Sequence, residues 1–212
     1  HWLQAWAVMP WWADAAVAAP LAPPGIRPRP LVFPADHGAH PDTRIEWWYV
    51  TGSVNLGRSE ERCGFQVTFF RSRTAVAADQ PSRFAAKQLL FAHAALTDLT
   101  KGRLRHDQRI ARSGFGIAEA ATDDTALSLR VWSLSREAHP GGSRYRTQLA
   151  SNSAGFAFDF TFDTTQPLLL QGDVGYSRKG PKPEQASHYY SQPQLAVSGT
   201  LTRDGAALPV RG

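Results

Sequence analysis

Two stretches of this chain concentrate the residue types that move protons or hold ions. The first, FPADHGAHPDTRIEWWYVTG at Phe33–Gly52, places Asp36, His37, His40, Asp42 and Glu46 just ahead of Trp47 and Trp48. Carboxylates and imidazoles this close together could act as a general acid–base set. They could also ligate a cation, but they show no regular metal-binding spacing, and no metal is expected. In the plainer reading, Asp36 and His37 make hydrogen bonds within a loop and Glu46 pairs with an arginine such as Arg44 or Arg71. Trp47 and Trp48 are neighbours on an expected strand, so one indole points inward and the other outward. The inward ring either lines an apolar cavity or fills a core.

The second stretch is LQGDVGYSRKGPKPEQASHYYS, Leu170–Ser191. Gly172, Gly175, Gly180, Pro181 and Pro183 make it a long loop rather than a strand or a simple turn. It delivers Asp173, Ser177, Arg178, Lys179, His188, Tyr189 and Tyr190 to one region. The GYSRKG run lacks the spacing of a phosphate-binding loop. A loop at a barrel mouth, controlling access to a cavity, is the more economical reading. His93 lies in the apolar run FAHAAL, either as a satisfied core histidine or as an inward polar group able to donate a proton. There is no Gly-x-Ser-x-Gly elbow and no Ser/His/Asp set that stands out.

Charge and cysteine usage narrow the classes. The net charge is +5, but no Lys/Arg run exceeds two residues and acids are interspersed, so the surface reads as solvated and nucleic acid is not an expected partner. Cys63 is the sole cysteine, which rules out an intrachain disulfide and a Cys-based zinc site. Its place in CGFQV suggests a buried, inert thiol. No cofactor is expected.

Residues 1–20 are apolar, contain no Lys or Arg, and hold Trp2, Trp6, Trp11 and Trp12. Ala16-Val17-Ala18 resembles the small-x-small end of a secretory signal, although a basic start is missing and Pro10 and Asp14 interrupt the stretch. Export to the periplasm or beyond is the expectation; an apolar arm lying on the domain or a partner is the alternative. Pro20, Pro23, Pro24, Pro28 and Pro30 then favour an extended linker. Residues 1–30 are therefore read as arm or signal remnant plus linker, and 31–212 as one domain.

Within 31–212 the strand signals recur at short intervals. They cover Glu46–Val54, Arg62–Arg71, Gln88–Asp98, Leu127–Leu134, Tyr145–Ala150, Phe156–Asp163, Leu168–Leu170, His188–Tyr190 and Leu195–Leu201, with Lys101-Gly102 as a reversal. The clearest is Phe156–Asp163, in which four phenylalanines alternate with Ala157, Asp159, Thr161 and Asp163. A helix would spread those rings around its circumference. Ser82–Leu90 is the one place where a short helix is conceivable. Eight to ten short antiparallel strands imply an all-β sandwich or closed barrel, and a barrel of about eight strands leaves room for one small ligand. Arg203-Asp204-Gly205 should start a hairpin whose second strand has hardly begun at Val210, an expectation that the natural protein continues.

Four blocks now carry a resemblance. FPADHGAHPDTRIEWWYVTG, GFQVTFFRSR, LLFAHAALTD and LLQGDVGYSRKGPKPEQASHYYSQPQLAVSGTL are similar, in that order, to signature blocks of the lipocalin-like AttH/CrtC family. The likeness runs from about Leu31 to Gly212. It implies a lipocalin-like β-barrel that is the first of two such domains, with the second domain of the same protein as a partner. A block similar to "WLDHEW", which opens the second half in such proteins, is absent. The family includes carotenoid 1,2-hydratases, a fungal hydratase of a prenylated flavonoid, and exported bacterial proteins associated with ABC-type permeases. The resemblance therefore implies a domain binding an elongated lipophilic ligand, an isoprenoid or lipid, or else a cofactor-independent hydratase.

Hydration would need an acid to protonate the alkene, stabilisation of the tertiary cation, and a base to direct water. On that reading Asp36, His40, Glu46 and Asp173 are the catalytic candidates, and Trp47, Trp48, His93, Tyr189 and Tyr190 the ligand-binding ones.

Overall fold

In a computed structural model of the chain, residues 26–212 are described apart from 58, 60, 77, 78, 183 and 184. The apolar segment and most of the proline-rich stretch fall outside the described residues. The architecture is antiparallel β throughout. A 3₁₀ turn at Ala35–His37 precedes β1 (Ile45–Leu56), β2 (Arg62–Arg73), β3 (Gln88–Asp98) and β4 (Arg103–Arg112). Then come β5 (Ala118–Ala120), β6 (Ala126–Leu129), β7 (Trp132–His139), β8 (Gly142–Ser151) and β9 (Phe156–Asp163). The short β10 (Leu169–Leu170), β11 (Tyr176–Arg178), β12 (Ala186–His188) and β13 (Tyr190–Ser191) lead to β14 (Ala196–Arg203) and β15 (Ala206–Arg211).

One sheet of eleven strands runs in the order β4-β3-β2-β1-β15-β14-β9-β8-β7-β6-β5. It curls until β3 and β4 lie against β5 and β6, which nearly closes it into a barrel. Two small ladders, β10 with β13 and β11 with β12, stand outside it.

Side-chain alternation explains why the sheet curls around one core. Phe156, Phe158, Phe160 and Phe162 on β9 are all buried, while the residues between them are not. They meet Phe65, whose ring lies edge-on to Phe160 at 5.3 Å, together with the inward row of Leu90, Ala92, Ala94 and Leu96 on β3. Removing each such ring from water contributes roughly 2 kcal/mol. Cys63 is fully buried among these residues, and burial pushes its thiol up from the ordinary value.

The structure changes four expectations. Residues 82–87 form a loop into β3 and not a helix, because the run from Gln88 is already paired with β2. Leu127–Leu134 is two strands joined at Arg130-Val131, with Leu129 opposite Trp132. The Arg103–Arg112 run, absent from the expected strands, is a full strand. The last hairpin is complete over six residue pairs, from Arg203↔Ala206 to Ser198↔Arg211.

Candidate functional site

The site lies where the sheet parts. β1 pairs with β2 along its whole length, but with β15 only at Asn55↔Arg211 and Leu56↔Val210. From Ser53 back to Ile45 its other edge faces a cleft of about 510 Å³, bounded opposite by Leu195 and Val197. Trp48, Val50, Phe65 and Leu134 form an apolar floor, and Tyr145 and Tyr190 add hydroxyls. A strap of residues 26–44 and the segment 187–194 cover this gap.

The strap is held by charge. Asp36 is buried and accepts hydrogen bonds from Arg29 (2.8 Å to Oδ2), the Val32 N–H (2.5 Å) and His40 Nε2 (2.8 Å). Burial alone would raise the Asp36 carboxyl; these donors outweigh it and hold the group well below the usual carboxylate range. The other ring nitrogen of His40, Nδ1, sits 2.6 Å from Glu46 Oε1. That bond to Glu46 pushes His40 above its ordinary value against the opposing effect of burial. Glu46 also accepts the His40 backbone N–H and Arg71 Nε at 2.7 Å.

Arg71 is only 2% exposed and carries the staple further. It donates to the His40 and Thr43 carbonyls, the Thr43 hydroxyl and the Gln88 side chain. Of the two arginines considered for Glu46, Arg71 is therefore the partner. Asp36, His40 and Glu46 do come together, in a network where each has its hydrogen bonds met. Asp42 stays exposed at the edge of the strap.

Deeper in, His37 is 2% exposed and its Nδ1 is 2.9 Å from the Tyr190 hydroxyl. Its carbonyl accepts from Trp48 Nε1 and the Thr125 hydroxyl, both at 2.9 Å. Gly38, next in sequence, has no room for a side chain: a Cβ there would lie 2.6 Å from the Thr122 carbonyl carbon. Burial, helped by the nearby Arg136 charge, lowers His37 to about 4, so its ring is neutral at pH 7. Burial likewise pushes the Tyr145 phenol up to about 12 and raises Tyr190 strongly. The inner wall thus presents neutral hydroxyls and an indole. Ser187 Oγ and Gln192 Oε1, from residues that line the cleft, are buried without a hydrogen-bond partner among the described residues.

The remaining candidates divide. Trp48 turns toward the core and Trp47 to the opposite face, as adjacent strand residues must. Tyr189 joins Tyr49 at the outer rim, hydroxyl to hydroxyl at 2.9 Å. Two placements are corrections. His93 is exposed on the outer face of β3, 5.4 Å from the Phe70 ring, because its strand turns Ala92 and Ala94 inward. Asp173 is exposed in the turn facing Tyr176 and does not line the cleft. Sequence reasoning did not reach Tyr145, Thr125 or Leu134, which come from distant strands.

Comparison with known proteins now adds to this geometry. The AttH-like family model matches residues 24–212. The chain belongs to the AttH-like family. A crystal structure of a protein described as an AttH from Nitrosomonas europaea is similar at 46% identity, with a TM-score of 0.76. The match covers 89% of this chain and 55% of that one, so this AttH-like chain spans about half the length of that relative. Among curated proteins no match is found.

Proposed function

We propose that this AttH-like domain binds an elongated lipophilic molecule, an isoprenoid or lipid, in the cleft between β1 and β14. The observation that carries the reading is the cleft itself. Its volume of about 510 Å³ falls in the range of small-molecule sites, and its floor is apolar with few polar groups. The unpartnered Ser187 Oγ and Gln192 Oε1 suit a ligand with one polar end, since a buried polar atom without a partner is costly. Native mass spectrometry of the purified protein, followed by titration with an acyclic prenyl alcohol, tests it. A retained apolar adduct or saturable binding is expected; neither adduct nor binding would end the reading.

A hydratase acting on an isoprenoid double bond is the second reading, and the convergence of Asp36, His40 and Glu46 at the cleft rim is what favours it. It is weaker. Both ring nitrogens of His40 are engaged by carboxylates and Asp36 is held deprotonated, so the strap offers no free acid. Incubation with lycopene in heavy-oxygen water decides between the two: labelled product supports hydration, and its absence supports binding alone.

The proposal extends to setting. Ala16-Val17-Ala18 supports export, testable by N-terminal sequencing of the protein made from its full gene. The greater length of the Nitrosomonas protein supports a second lipocalin-like domain as the intramolecular partner, and the family resemblance supports an ABC-type permease as an outside one.

A further inference from the structure

Three neighbouring loops each carry an exposed apolar side chain. Phe84, in the 82–87 loop, is 70% exposed; Phe115, between β4 and β5, is 48%; Val131, between β6 and β7, is 74%. The loops are contiguous. The Phe84 and Phe115 rings stack at 5.6 Å, and the Arg130 N–H donates to the Ile117 carbonyl, tying the turn of Val131 to that of Phe115.

Local backbone makes this arrangement unusual. Phe115 has φ 60, set between Gly114 and Gly116, and Arg130 has φ 57. Bulky residues rarely adopt left-handed backbone, where glycine costs least, so both turns present large side chains to solvent against local preference.

Cations surround the apolar tips. The Arg112 guanidinium lies 5.5 Å from the Phe84 ring centre and 4.8 Å from that of Phe115, and Arg83 and Arg130 are exposed beside them. In segments 79–87, 112–119 and 130–131 the cations are Arg83, Lys87, Arg112 and Arg130, against the acids Asp79 and Glu119. Ile45, Ser72, Leu89 and Arg112 are successive cross-strand partners, so Arg112 and the two rings it meets lie where the strap leads into β1, and the 130–131 turn joins them through Ile117.

We infer that this patch docks on an anionic lipid surface. Phe84, Phe115 and Val131 enter the boundary between headgroups and acyl chains, and Arg83, Arg112 and Arg130 meet lipid phosphates. Paired exposed aromatics ringed by cations have the chemistry of an interfacial anchor, and the positive balance selects anionic lipid. The inference stands on these loops and does not depend on what the cleft binds.

Co-sedimentation with phosphatidylglycerol/phosphatidylcholine vesicles, and with phosphatidylcholine alone, tests it. The chain should partition at least tenfold more strongly onto the anionic vesicles. The double variant F84S/F115G should lose at least tenfold of that binding; glycine at 115 relieves the left-handed backbone, so folding is preserved, and an unchanged melting curve checks this. R130G should weaken binding to anionic vesicles only. No binding by the unsubstituted chain overturns the inference. So does binding that persists in F84S/F115G, as it would if apolar residues 1–20 were the anchor. Self-association of the unsubstituted chain that is lost in F84S/F115G, with no vesicle binding, would assign the patch to a second copy and also overturn it.

Discussion

The barrel has two seams where the backbone ladder is incomplete, and the protein treats them in opposite ways. At the first, β4 lies against the far side of the sheet without pairing to it, and side chains close the gap. Arg105 reaches Asp204 at 2.5 Å, Asp107 accepts from the Ser151 hydroxyl at 2.6 Å, and the Arg109 guanidinium sits 5.0 Å from the ring of the fully buried Trp132. At the second, β1 parts from β15 and leaves a cleft of about 510 Å³ under a strap. Charged pairs fill one seam, while the other is lined by an indole, phenols and aliphatic side chains. Among the described residues the charged seam leaves one buried polar atom unmet, Arg105 Nε, whereas the cleft leaves two beside open space.

Substitutions can break this contrast. The largest expected effect is on the staple that holds the strap. Arg71→Met removes the cation that serves Glu46 and two backbone carbonyls, and should cost about 3–5 kcal/mol in urea denaturation at pH 7. A loss below 1 kcal/mol would mean that the strap is held by packing alone.

Acid comes next. His37 is lowered to about 4 in the folded protein from its ordinary 6.5, so the unfolded chain takes up its proton first as pH falls. Stability should therefore drop by roughly 3 kcal/mol between pH 6.5 and 4. Asp36, lowered from its ordinary value of 3.8, adds a further loss as pH falls below that value. His37→Gln should flatten the upper part of this slope in denaturation series at pH 7 and 4.5. An unchanged slope would remove His37 as its source.

The sealed seam should respond less. Asp107→Ala loses the bonds to Ser151 and Arg109, costing about 1–2 kcal/mol without altering ligand affinity. The smallest change belongs to Arg105→Gln, because its partner Asp204 is mostly exposed and such pairs contribute little. If either substitution altered ligand affinity, the two seams would not be functionally separate.

Sequence patterning reveals one seam better than the other. Phe156–Asp163 announces its inward face because its four phenylalanines alternate without exception. Arg103–Arg112 hides as a strand because the side chains it turns inward, Arg105, Asp107 and Arg109, are charged; what they face is visible only once distant turns are in place. The break in LSLRVWSL is equally hidden, since its turn uses Arg130 where glycine or asparagine would be the usual signal. At the site, Asp36, His40 and Glu46 are legible as a cluster within eleven consecutive residues. The inner wall is not, because Thr125, Leu134 and Tyr145 reach it from strands far along the chain. His93 misleads because alanine on both sides masks which face is inward; counting by twos from Leu90 to Leu96 places it outside.

The most direct test is calorimetric titration of an acyclic prenyl alcohol into three forms of the protein: unsubstituted, Leu195→Trp in the cleft, and Arg105→Gln in the sealed seam. Saturable binding should weaken at least tenfold when Leu195 is enlarged and stay unchanged when Arg105 is replaced. Equal affinity in all three forms would contradict this, because the ligand would then lie outside the cleft.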